Sequence, residues 1–457
     1  MSTNIILNTD SYKASHWLQY PAGTENVFSY IESRGGKYSH TLFFGLQMYL
    51  KEYLSKPITQ EMIDEAEAFL KIHGEPFNKE GWEYILKEHA GYLPLRIKAA
   101  PEGMMIPTHN VMVTVEATDP KCAWLVSYIE TSLLRGVWYP TTVSTISWTI
   151  KQIIKRYLDE TGDPAGIGFK LHDFGARGVS SMESAGIGGA AHLVNFLGTD
   201  TISGALAAMR YYNTDVPAFS IPAAEHSTIT TYGKEGEVEA YRNMLKQYAK
   251  PGALVAVVSD SYDIYNAVDN IWGKQLKDEV IKSGAIVVVR PDSGNPPEVV
   301  LKVAQLLDKN FGSEYNAKGF KVLNNVRIIQ GDGINEDSIR EILENLKKAG
   351  FSADNVAFGM GGALLQGMNR DTQRFAMKAS AMKIDGQWRD VFKDPVTDPG
   401  KKSKKGRLEL IRSLDGSVKT VPAEEAEGHE KLLKVVFENG RVLKDWTFAE
   451  VRANSEK

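Results

Sequence analysis

The alternation of apolar and polar residues in the N-terminal third of the chain predicts antiparallel strands. Short alternating segments such as Asn110–Glu116 are interspersed with helical stretches such as Glu61–His73. Such alternation is typical of strands with one buried and one solvated face, which occur mostly in antiparallel sheets. The spacing of apolar residues becomes helical between Ala123 and Glu160. We therefore expect a mixed α+β region that ends near residue 150.

The middle of the chain has a different pattern, in which short, continuously apolar segments alternate with helical ones. Five of these segments end in Gly, Asp or Arg, and they are 168–173, 254–260, 286–292, 326–332 and 356–359. Helical spacing is clear in Pro297–Asn310 and Asp337–Ala349. Continuous apolar strands that alternate with helices predict a parallel sheet buried on both faces, closed into a βα barrel.

The pattern changes again after residue 380. Two glycine-containing turns, Ile384–Trp388 and Ser413–Ser417, predict hairpins between short strands. We expect these strands to pack back on the N-terminal ones. The predicted organisation is a discontinuous α+β domain of residues 1–150 and 381–457, and a catalytic βα barrel of residues 151–380.

Composition narrows the class of protein. The chain has 457 residues, of which 43% are hydrophobic and 24% charged, as in a soluble globular protein. Its net charge of -4 argues against nucleic acid as a partner. The single cysteine, Cys122, cannot form an internal disulfide, which suits a reducing cytoplasm. We see neither a signal peptide nor an apolar run of about 18 residues, so we expect a cytoplasmic protein without a membrane partner.

One histidine stands out as a candidate for chemistry. His226 follows Glu225 directly and is followed by hydroxyl residues at the start of a helical stretch. An imidazole so placed can be tuned to act as a base, an acid or a phosphate acceptor near neutral pH. Considered alone, it is better explained as a capping residue of a helix. Elsewhere in the chain, predicted strands end in acidic residues or in residues that can bind phosphate. These strand ends favour a role for His226 as a base, an acid or a phosphate acceptor.

Those strand ends carry a recurring set of polar residues. In βα barrels the carboxyl ends of the strands line the active site, and four aspartates fall there: Asp173, Asp260, Asp292 and Asp332. Carboxylates suit a ribose or a hydrated Mg²⁺ ion, and arginines such as Arg177 and Arg290 suit phosphates. The glycine-rich turn 359–362 lets backbone N–H groups approach an anion. Each element alone could equally be a turn glycine or a helix cap, and only their joint occurrence favours a site.

Three further motifs are ambiguous. Residues 186–191 match a dinucleotide fingerprint in form, but they lie in a small-residue helical stretch and indicate close packing instead. Residues 173–175 read Asp-Phe-Gly, yet nothing else in the chain matches a kinase. The basic run 401–407 could be a solvated loop, a phosphate-binding loop or a localisation signal.

Taken together, seven ordered stretches closely resemble the nicotinamide phosphoribosyltransferase family, from Asp10 almost to the C-terminus. The stretches are Thr9–Lys13, Lys170–Gly178, Asn195–Asp200, Pro222–Thr230, Ser259–Asn266, Arg290–Pro296 and Gln330–Gly333. The resemblance implies an irregular βα barrel of the type II phosphoribosyltransferase kind, with a second α+β domain built from antiparallel strands of both termini. It also implies a glycosyltransferase that makes nicotinamide mononucleotide and pyrophosphate from nicotinamide and phosphoribosyl pyrophosphate, in NAD salvage.

The resemblance further implies Mg²⁺ and ATP, with hydrolysis of ATP coupled to synthesis through a phosphohistidine at His226. Asp263 matches the acid that orients this imidazole, and Glu225 lies next to it in sequence. Phe174 and Tyr12 match the two aromatic residues that sandwich the pyridine ring, and the family takes one from each subunit. This implies a homodimer with shared active sites, to which Asp10 and Tyr12 come from the partner.

The remaining site residues are implied by the same resemblance, and the metal ligands stay unknown. Residues expected at the base, ribose, phosphates or nucleotide are Arg177, Asp200, Ser220, Ser259, Arg290, Asp292, Gly331, Asp332, Gly361, Gly362, Arg370, Lys378, Lys393 and Lys401. The chain departs from the animal enzymes at Ala176, where they carry tyrosine, and at Ala376, where they carry serine. These departures bear on nucleotide affinity rather than on the reaction.

Two alternatives from other classes remain. Nicotinate phosphoribosyltransferase differs by the group that meets the ring substituent: Asp200 can accept from an amide but would repel a carboxylate. A non-catalytic nucleotide-binding protein would not need His226, Asp263 and Arg290 together. Turnover with nicotinamide and phosphoribosyl pyrophosphate separates the three hypotheses.

Overall fold

The computed structural model describes residues 4–397 and 402–457 and divides into two compact units. The first unit comprises residues 1–145, 207–215 and 368–457, and the second comprises residues 146–206 and 216–367. Lys401, one of the expected phosphate ligands, lies outside the described residues. Each unit contains a large sheet of its own.

The first unit is built on a seven-stranded antiparallel sheet to which both ends of the chain contribute. In spatial order its strands are Gln387–Asp390, Phe375–Ile384, Thr24–Ser33, Val111–Ala117, Leu95–Ala99, Lys434–Glu438 and Arg441–Val442. All of its strand pairs are antiparallel. The predicted sheet from both termini is confirmed.

The two hairpins predicted near the C-terminus are present. Ile384 pairs with Gln387 across a two-residue turn, and both turn residues, Asp385 and Gly386, have positive φ. This is the geometry that matches the twist of the flanking strands. The second hairpin joins Leu408–Arg412 to Val418–Pro422.

The prediction of a half-buried strand at residues 110–116 is wrong in one respect. All but one residue of the strand Val111–Ala117 are buried. One face packs on the core of the unit, and the C-terminal hairpin reaches the strand as well, because Val111 N donates to Thr420 Oγ1 at 2.9 Å. A neighbour this remote in sequence leaves no mark on the local pattern.

Helices and short strands complete the first unit. The helix Gln60–His73 begins after Thr59, whose side chain accepts from Met62 N, and ends at Gly74 with a φ of 90°. The other helical segments and strands are Ile5–Leu7, Ser11–Leu18, Leu46–Tyr49, Leu50–Leu54, Lys79–Glu88, Pro120–Cys122, Leu125–Tyr128, residues 130–145 of the helix Glu130–Thr161, residues 207–212 of the helix Ile202–Tyr212, Arg370–Thr372, Ala423–Ala426, Phe448–Ser455, His40–Leu42, Met105–Pro107 and Glu430–Lys431.

The second unit is a βα fold with a six-stranded parallel sheet. In spatial order the strands are Gly198–Thr199, Leu171–Asp173, Val356–Met360, Val326–Gln330, Ile286–Arg290 and Leu254–Val258, and every pair is parallel. Four of these strands fall within predicted segments, and Val356–Met360 extends the predicted 356–359 by one residue. They are almost wholly buried, which explains their continuous apolar sequence.

Residues 219–224 close this sheet. Phe219 forms a parallel bridge with Gly198 on one edge strand, and Ala223 forms one with Ala256 on the other. Its backbone hydrogen bonds include Thr199 N to Phe219 O at 3.0 Å and Ala224 N to Ala256 O at 2.9 Å. This closing segment, as we call residues 219–224, turns the sheet into the irregular βα barrel that was predicted.

The barrel helices follow their predicted positions. Pro296–Phe311 and Glu336–Lys348 correspond to the predicted 297–310 and 337–349, and Asn335 caps the latter with a reciprocal capping box. The remaining helical segments of this unit are residues 146–161 of the helix Glu130–Thr161, Pro164–Phe169, Ala176–Gly178, Met182–Leu193, residues 202–206 of the helix Ile202–Tyr212, His226–Thr230, Lys234–Gly236, Glu237–Tyr248, Ile264–Asn266, Ala267–Gln275, Lys277–Ser283, Ala353–Asn355 and Gly362–Leu365, and a small hairpin pairs Ser313–Tyr315 with Lys321–Leu323.

The glycines at 186–191 serve packing, as predicted. They lie in the helix Met182–Leu193, and a Cβ atom at Gly189 would meet the Cα of Gly204 on the next helix at 2.8 Å. No nucleotide-binding turn forms in this described segment, because the residues are helical throughout.

Candidate functional site

His226 is the first residue of a short helix, His226–Thr230, that directly follows the closing segment. Its side chain is 46% exposed, whereas that of Asp260 is 4% exposed. His226 Nε2 lies 3.0 Å from Asp260 Oδ1. A carboxylate can only accept a hydrogen bond, so this contact favours the tautomer of the neutral ring with the proton on Nε2 and the lone pair on Nδ1.

The carboxylate bonded to His226 is therefore Asp260, not the expected Asp263. Asp263 Oδ1 instead accepts from Tyr265 N and Asn266 N, both at 3.0 Å, and caps the next helix. Glu225 is the N-cap residue of the His226 helix, and its side chain accepts from Ser227 Oγ. Asp260 was predicted only as a rim residue. The signal that could have identified it is its place as the first acid after a buried strand.

Asp260 also connects two strand-end loops. Its second oxygen, Oδ2, accepts from Asp292 N at 3.1 Å and from Ser293 Oγ at 2.5 Å. The loop after the strand Ile286–Arg290 is thus fixed to the carboxylate that holds the histidine. One nearly buried side chain sets the positions of His226 and Asp292 together.

The charged side chains at this rim are only partly neutralised or hydrogen-bonded by their neighbours. Burial raises the pKa of Asp292, Asp260 and Asp332 raise it further, and Arg290 and His226 oppose the change. Arg290 Nη2 lies 3.8 Å from Asp292 Oδ2, and Arg290 Nε is buried without a hydrogen-bond partner within the described chain. An acidic cluster with a spare guanidinium N–H fits a ligand that brings both cationic and anionic groups.

Phe174 lies against the inside of the barrel. Its N–H donates to Met360 O at 3.0 Å, and its ring packs with Ile221 on Ala256 and Ile329. A Cβ atom at Gly359 would come within 1.9 Å of this ring. Gly359 therefore makes the space that the ring occupies.

Asp200 and Ser220 meet at the same end of the barrel. Ser220 Oγ donates to Asp200 Oδ1 at 2.6 Å, and Asp200 N donates to Asp173 O at 2.9 Å. Phe174 follows Asp173 directly in sequence. The hydrogen bond from Asp200 N to Asp173 O therefore joins the backbone of Asp200 to the residue next to Phe174. These bonds place the backbone of Asp200, and with it Ser220, next to the strand end that is followed by Phe174.

Asp173 itself is a fully buried acid at the end of its strand. Its Oδ1 accepts from Gly175 N at 2.7 Å, which shapes the turn around Phe174. Burial is the main cause that raises the pKa of Asp173 to about 6. This carboxyl is a positioning group of the turn and not an exposed ligand.

The glycine-containing turn 361–362 packs against the loop that carries Arg177. A Cβ atom at Gly178 would lie 3.1 Å from Gly362 Cα, so the loop with the exposed Arg177 packs on the turn 361–362. Gly331 borders both Phe174 and Asp292, since a Cβ there would meet their side chains at 3.4 and 3.3 Å.

Ser259 does not face this site. It is fully buried, and its hydroxyl donates to Val257 O at 2.9 Å and accepts from Trp272 Nε1 at 3.1 Å. The second unit also contains a cavity of about 530 Å³ that reaches Ser220 of the site. Its lining includes Phe169, His172, Phe219, Ser220, Val288 and Ile329.

In the first unit, the expected ligands Asp10 and Tyr12 lie on a firmly tethered turn. Thr131 Oγ1 donates to Asp10 Oδ2 at 2.6 Å and accepts from Asp10 N at 3.2 Å. Lys13 Nζ pairs with Glu130 at 2.7 Å. The Tyr12 side chain remains 56% exposed, so a rigid backbone presents an open aromatic ring.

A basic cluster, which we define as Lys13, Arg34, Lys378 and Lys393, occupies the same unit. Burial lowers the pKa of Lys378, Glu130 opposes this, and the positive charges of Arg34, Lys393 and Lys13 lower it further. Arg34 was not predicted as a site residue, and its Nη2 is buried without a hydrogen bond within the described chain. Crowded cations of this kind fit a phosphate.

The other basic residues of this unit are more ordinary. Arg370 is exposed and pairs with Asp371 at 3.0 Å. In the basic run, Lys402 pairs with Asp394 at 2.8 Å and Lys404 with Glu32 at 2.5 Å.

Of the two positions at which the chain departs from the animal enzymes, Ala376 is buried in a strand and Ala176 is exposed. No helix among the described residues is long and apolar enough to cross a bilayer.

The fold is shared by solved structures of very different sequence. A nicotinate-nucleotide pyrophosphorylase from Pyrococcus furiosus aligns over 100% of this chain and 96% of its own, with a TM-score of 0.66 and 17% identity. Human nicotinic acid phosphoribosyltransferase aligns over 98% of this chain and 92% of its own, with a TM-score of 0.55 and 17% identity. The βα barrel of the second unit and the antiparallel sheet of the first unit define a type II phosphoribosyltransferase fold, as predicted.

Sequence comparison narrows this class. Residues 169–441 match the model of the nicotinate phosphoribosyltransferase (NAPRTase) family, and residues 4–97 match the nicotinamide phosphoribosyltransferase N-terminal domain. A nicotinamide phosphoribosyltransferase of Xanthomonas campestris is 59% identical over 99% of this chain and 98% of its own. One of Acinetobacter baylyi is 34% identical over 97% of this chain and 95% of its own. The chain belongs to the nicotinamide phosphoribosyltransferase family, a family of pentosyl-transferring enzymes, and the predicted resemblance is confirmed.

The raised pKa of Asp173 gives a stability prediction. The folded protein holds this proton up to about pH 6, whereas an unfolded aspartate releases it near 3.8, so Asp173 destabilises the fold as pH rises between these values. We expect Asp173→Asn to remove up to about 3 kcal/mol of this pH-dependent loss. Urea unfolding between pH 4 and pH 7 measures it. The exposed Asp278→Asn serves as control, and parallel pH profiles of wild type and Asp173→Asn would contradict the prediction.

Proposed function

We propose that this protein transfers phosphoribose from phosphoribosyl pyrophosphate to the pyridine nitrogen of nicotinamide, as a step of NAD salvage. The observation that carries the proposal is the hydrogen-bonded pair Asp200 and Ser220, which is tied through Asp200 N to the strand end followed by Phe174. Ser220 occupies one oxygen of Asp200 at 2.6 Å and leaves the other to accept from an amide. The similarity to curated nicotinamide enzymes over almost the whole chain supports the same assignment.

Nicotinate is the competing substrate, because the solved neighbours and one family model carry nicotinate in their names. Nicotinate would bring its carboxylate to Asp200. Two like charges at a partly desolvated contact repel each other, whereas an amide N–H donates to the same oxygen. The site therefore favours nicotinamide.

We further propose that ATP phosphorylates His226. The lone pair of Nδ1 attacks the γ-phosphorus, the bond to the ADP oxygen breaks, and the Nε2 proton stays hydrogen-bonded to Asp260. The half-exposed ring gives a nucleotide access, and the buried carboxylate stabilises the positive charge that develops on the imidazole. Hydrolysis of the phosphohistidine during synthesis would couple the two reactions.

Magnesium fits the acidic rim. Asp292 has a raised pKa because it is partly buried near Asp260 and Asp332, and a divalent cation would relieve that repulsion. We assign the ion to the carboxylates of Asp292 and Asp332, where it would neutralise the pyrophosphate leaving group. The chain's own contribution is Arg290, whose buried Nε–H is available to a phosphate oxygen.

The first unit would supply the remaining contacts from a second subunit. We propose a homodimer in which Asp10 and Tyr12 complete the partner's site, with Tyr12 and Phe174 on opposite faces of the pyridine ring. The exposed ring of Tyr12 on its tethered turn supports this role. The basic cluster and Arg370 are the proposed contacts of the phosphates.

The choice between nicotinamide and nicotinate can be tested at Asp200. We expect wild type to turn over nicotinamide far better than nicotinate, and Asp200→Ser to narrow the ratio of kcat/KM values by about thirtyfold, or about 2 kcal/mol. Ser220→Ala is the matched control, because it removes the hydrogen bond and keeps the charge. An unaltered ratio in Asp200→Ser would show that Asp200 does not read the ring substituent.

The histidine assignment predicts a graded series. His226→Ala should lose ATP hydrolysis and the ATP-driven gain in synthesis. Asp260→Asn should slow hydrolysis at least about tenfold, the scale of one charge-assisted hydrogen bond. Asp263→Asn keeps a helix-capping side chain and should lose less. A normal Asp260→Asn enzyme beside an inactive Asp263→Asn enzyme would transfer the orienting role to Asp263.

Shared sites predict complementation. Tyr12→Ala and His226→Ala chains should each be nearly inactive, yet mixed chains that exchange subunits should form heterodimers with one intact site. Random pairing then restores about a quarter of wild-type activity. Subunit exchange is checked by mass spectrometry of tagged chains. Exchange without recovered activity would mean that each site is built from one chain.

A further inference from the structure

Three metal-binding side chains meet in the first unit, in residues to which the proposed reaction assigns no role. They are His89, Asp119 and Cys122, and their ligand atoms all lie within 4.8 Å of one another. His89 follows the helix Lys79–Glu88, whereas Asp119 and Cys122 lie in the turn after the strand Val111–Ala117. The fold thus brings an imidazole to a carboxylate and a thiol about 30 residues away.

The backbone holds these groups in place. Asp119 Oδ1 accepts from Lys121 N at 2.8 Å, and Cys122 N donates to Asp119 O at 2.9 Å. The turn therefore fixes the two side chains relative to each other. Asp119 Oδ2 points the other way and accepts from His89 Nε2 at 2.8 Å and from Tyr84 Oη at 2.9 Å.

The third candidate ligand is a buried thiol. Cys122 is fully buried and belongs to the hydrophobic core of the unit. As the single cysteine of the chain it has no internal disulfide partner, so its thiol stays available to a metal.

We propose that His89, Asp119 and Cys122 bind one zinc ion. Sulfur, imidazole nitrogen and a single carboxylate oxygen are the ligands that Zn²⁺ takes, whereas Mg²⁺ and Ca²⁺ prefer oxygen alone. Bonds of about 2.0 to 2.3 Å in a tetrahedron place ligand atoms about 3.3 to 3.7 Å apart. The observed separations, 2.8 Å for the hydrogen-bonded pair and at most 4.8 Å overall, bracket that range, so small side-chain shifts suffice.

Binding redistributes the protons without any co-reactant. The Cys122 thiol releases its proton to solvent as the thiolate bonds to zinc. The proton of His89 moves from Nε2 to Nδ1, which frees the Nε2 lone pair for the metal. Tyr84 keeps its hydrogen bond to the Asp119 carboxylate and orients this ligand, as outer partners of metal ligands commonly do.

Water or a small anion would take the fourth coordination position, as at zinc sites with three protein ligands. A cavity of about 550 Å³ in the first unit is lined by Pro120, Lys121 and Ala123, which adjoin Asp119 and Cys122 in sequence, although none of the three ligands lines it. The ion would then join the end of the helix Lys79–Glu88 to the turn that follows the sheet.

Cobalt reports on this site directly. The full-length protein is stripped with a chelator and titrated with Co²⁺, and we expect about one equivalent to bind with a thiolate-to-cobalt absorption band in the near ultraviolet, displaced by Zn²⁺. Zinc should also raise the Tm of the stripped protein. Neither readout depends on catalysis. A wild type without the thiolate band would overturn the proposal.

Variants locate the ion. Cys122→Ala should lose the thiolate band and bind zinc at least about tenfold more weakly, and His89→Gln should weaken zinc similarly. His73→Gln, at the exposed end of another helix, is the matched control and should bind as wild type does. Should Cys122→Ala fail to fold, the less buried His89→Gln carries the test. Zinc binding that survives the substitution tested would refute the site.

Discussion

The four main-chain hydrogen bonds of the closing segment are the constraint on which the barrel site depends. They join Phe219 to Leu197 and Thr199 on one edge of the sheet, and Pro222 and Ala224 to Ala256 on the other. An open parallel sheet has two edges with unpaired backbone groups, and residues 219–224 pair both. The segment is also the carrier of Ser220, and it ends two residues before His226. The same segment therefore closes the barrel and positions Ser220 and His226.

The closing segment is also a part of the barrel that the sequence did not predict. The strands and helices of the barrel were recognisable because burial on both faces requires continuous apolar runs. Residues 219–224 form only isolated bridges, and Pro222 in their middle argues against a strand, so their sequence does not predict one. Similarly, Asp260 and Asp263 are equally plausible partners for His226 in sequence. The choice follows from where the next helix begins, since its free N–H groups engage Asp263.

The rim concentrates groups that are incompletely satisfied in the free protein. Asp292 is partly desolvated beside two other acids, Arg290 retains a buried donor, and Asp173 is buried with a raised pKa. Asp292 and Arg290 can be neutralised by a ligand that carries the missing charges, whereas the buried Asp173 shapes the turn that carries Phe174. Neither the local sequence of Asp173 nor its position at the rim distinguishes it from a ligand.

The first sheet has a consequence for biosynthesis. The strand Thr24–Ser33 needs the strand Phe375–Ile384 as a neighbour, and the bond from Ser33 to Gln373 joins residues 340 positions apart. At about 5 to 20 residues per second, a nascent chain waits roughly 20 to 70 s between making one strand and its partner. The edge of the N-terminal strand must be shielded throughout that interval, and every strand of the barrel is translated before it ends. We therefore expect the ribosome-bound chain to fold its middle before its beginning.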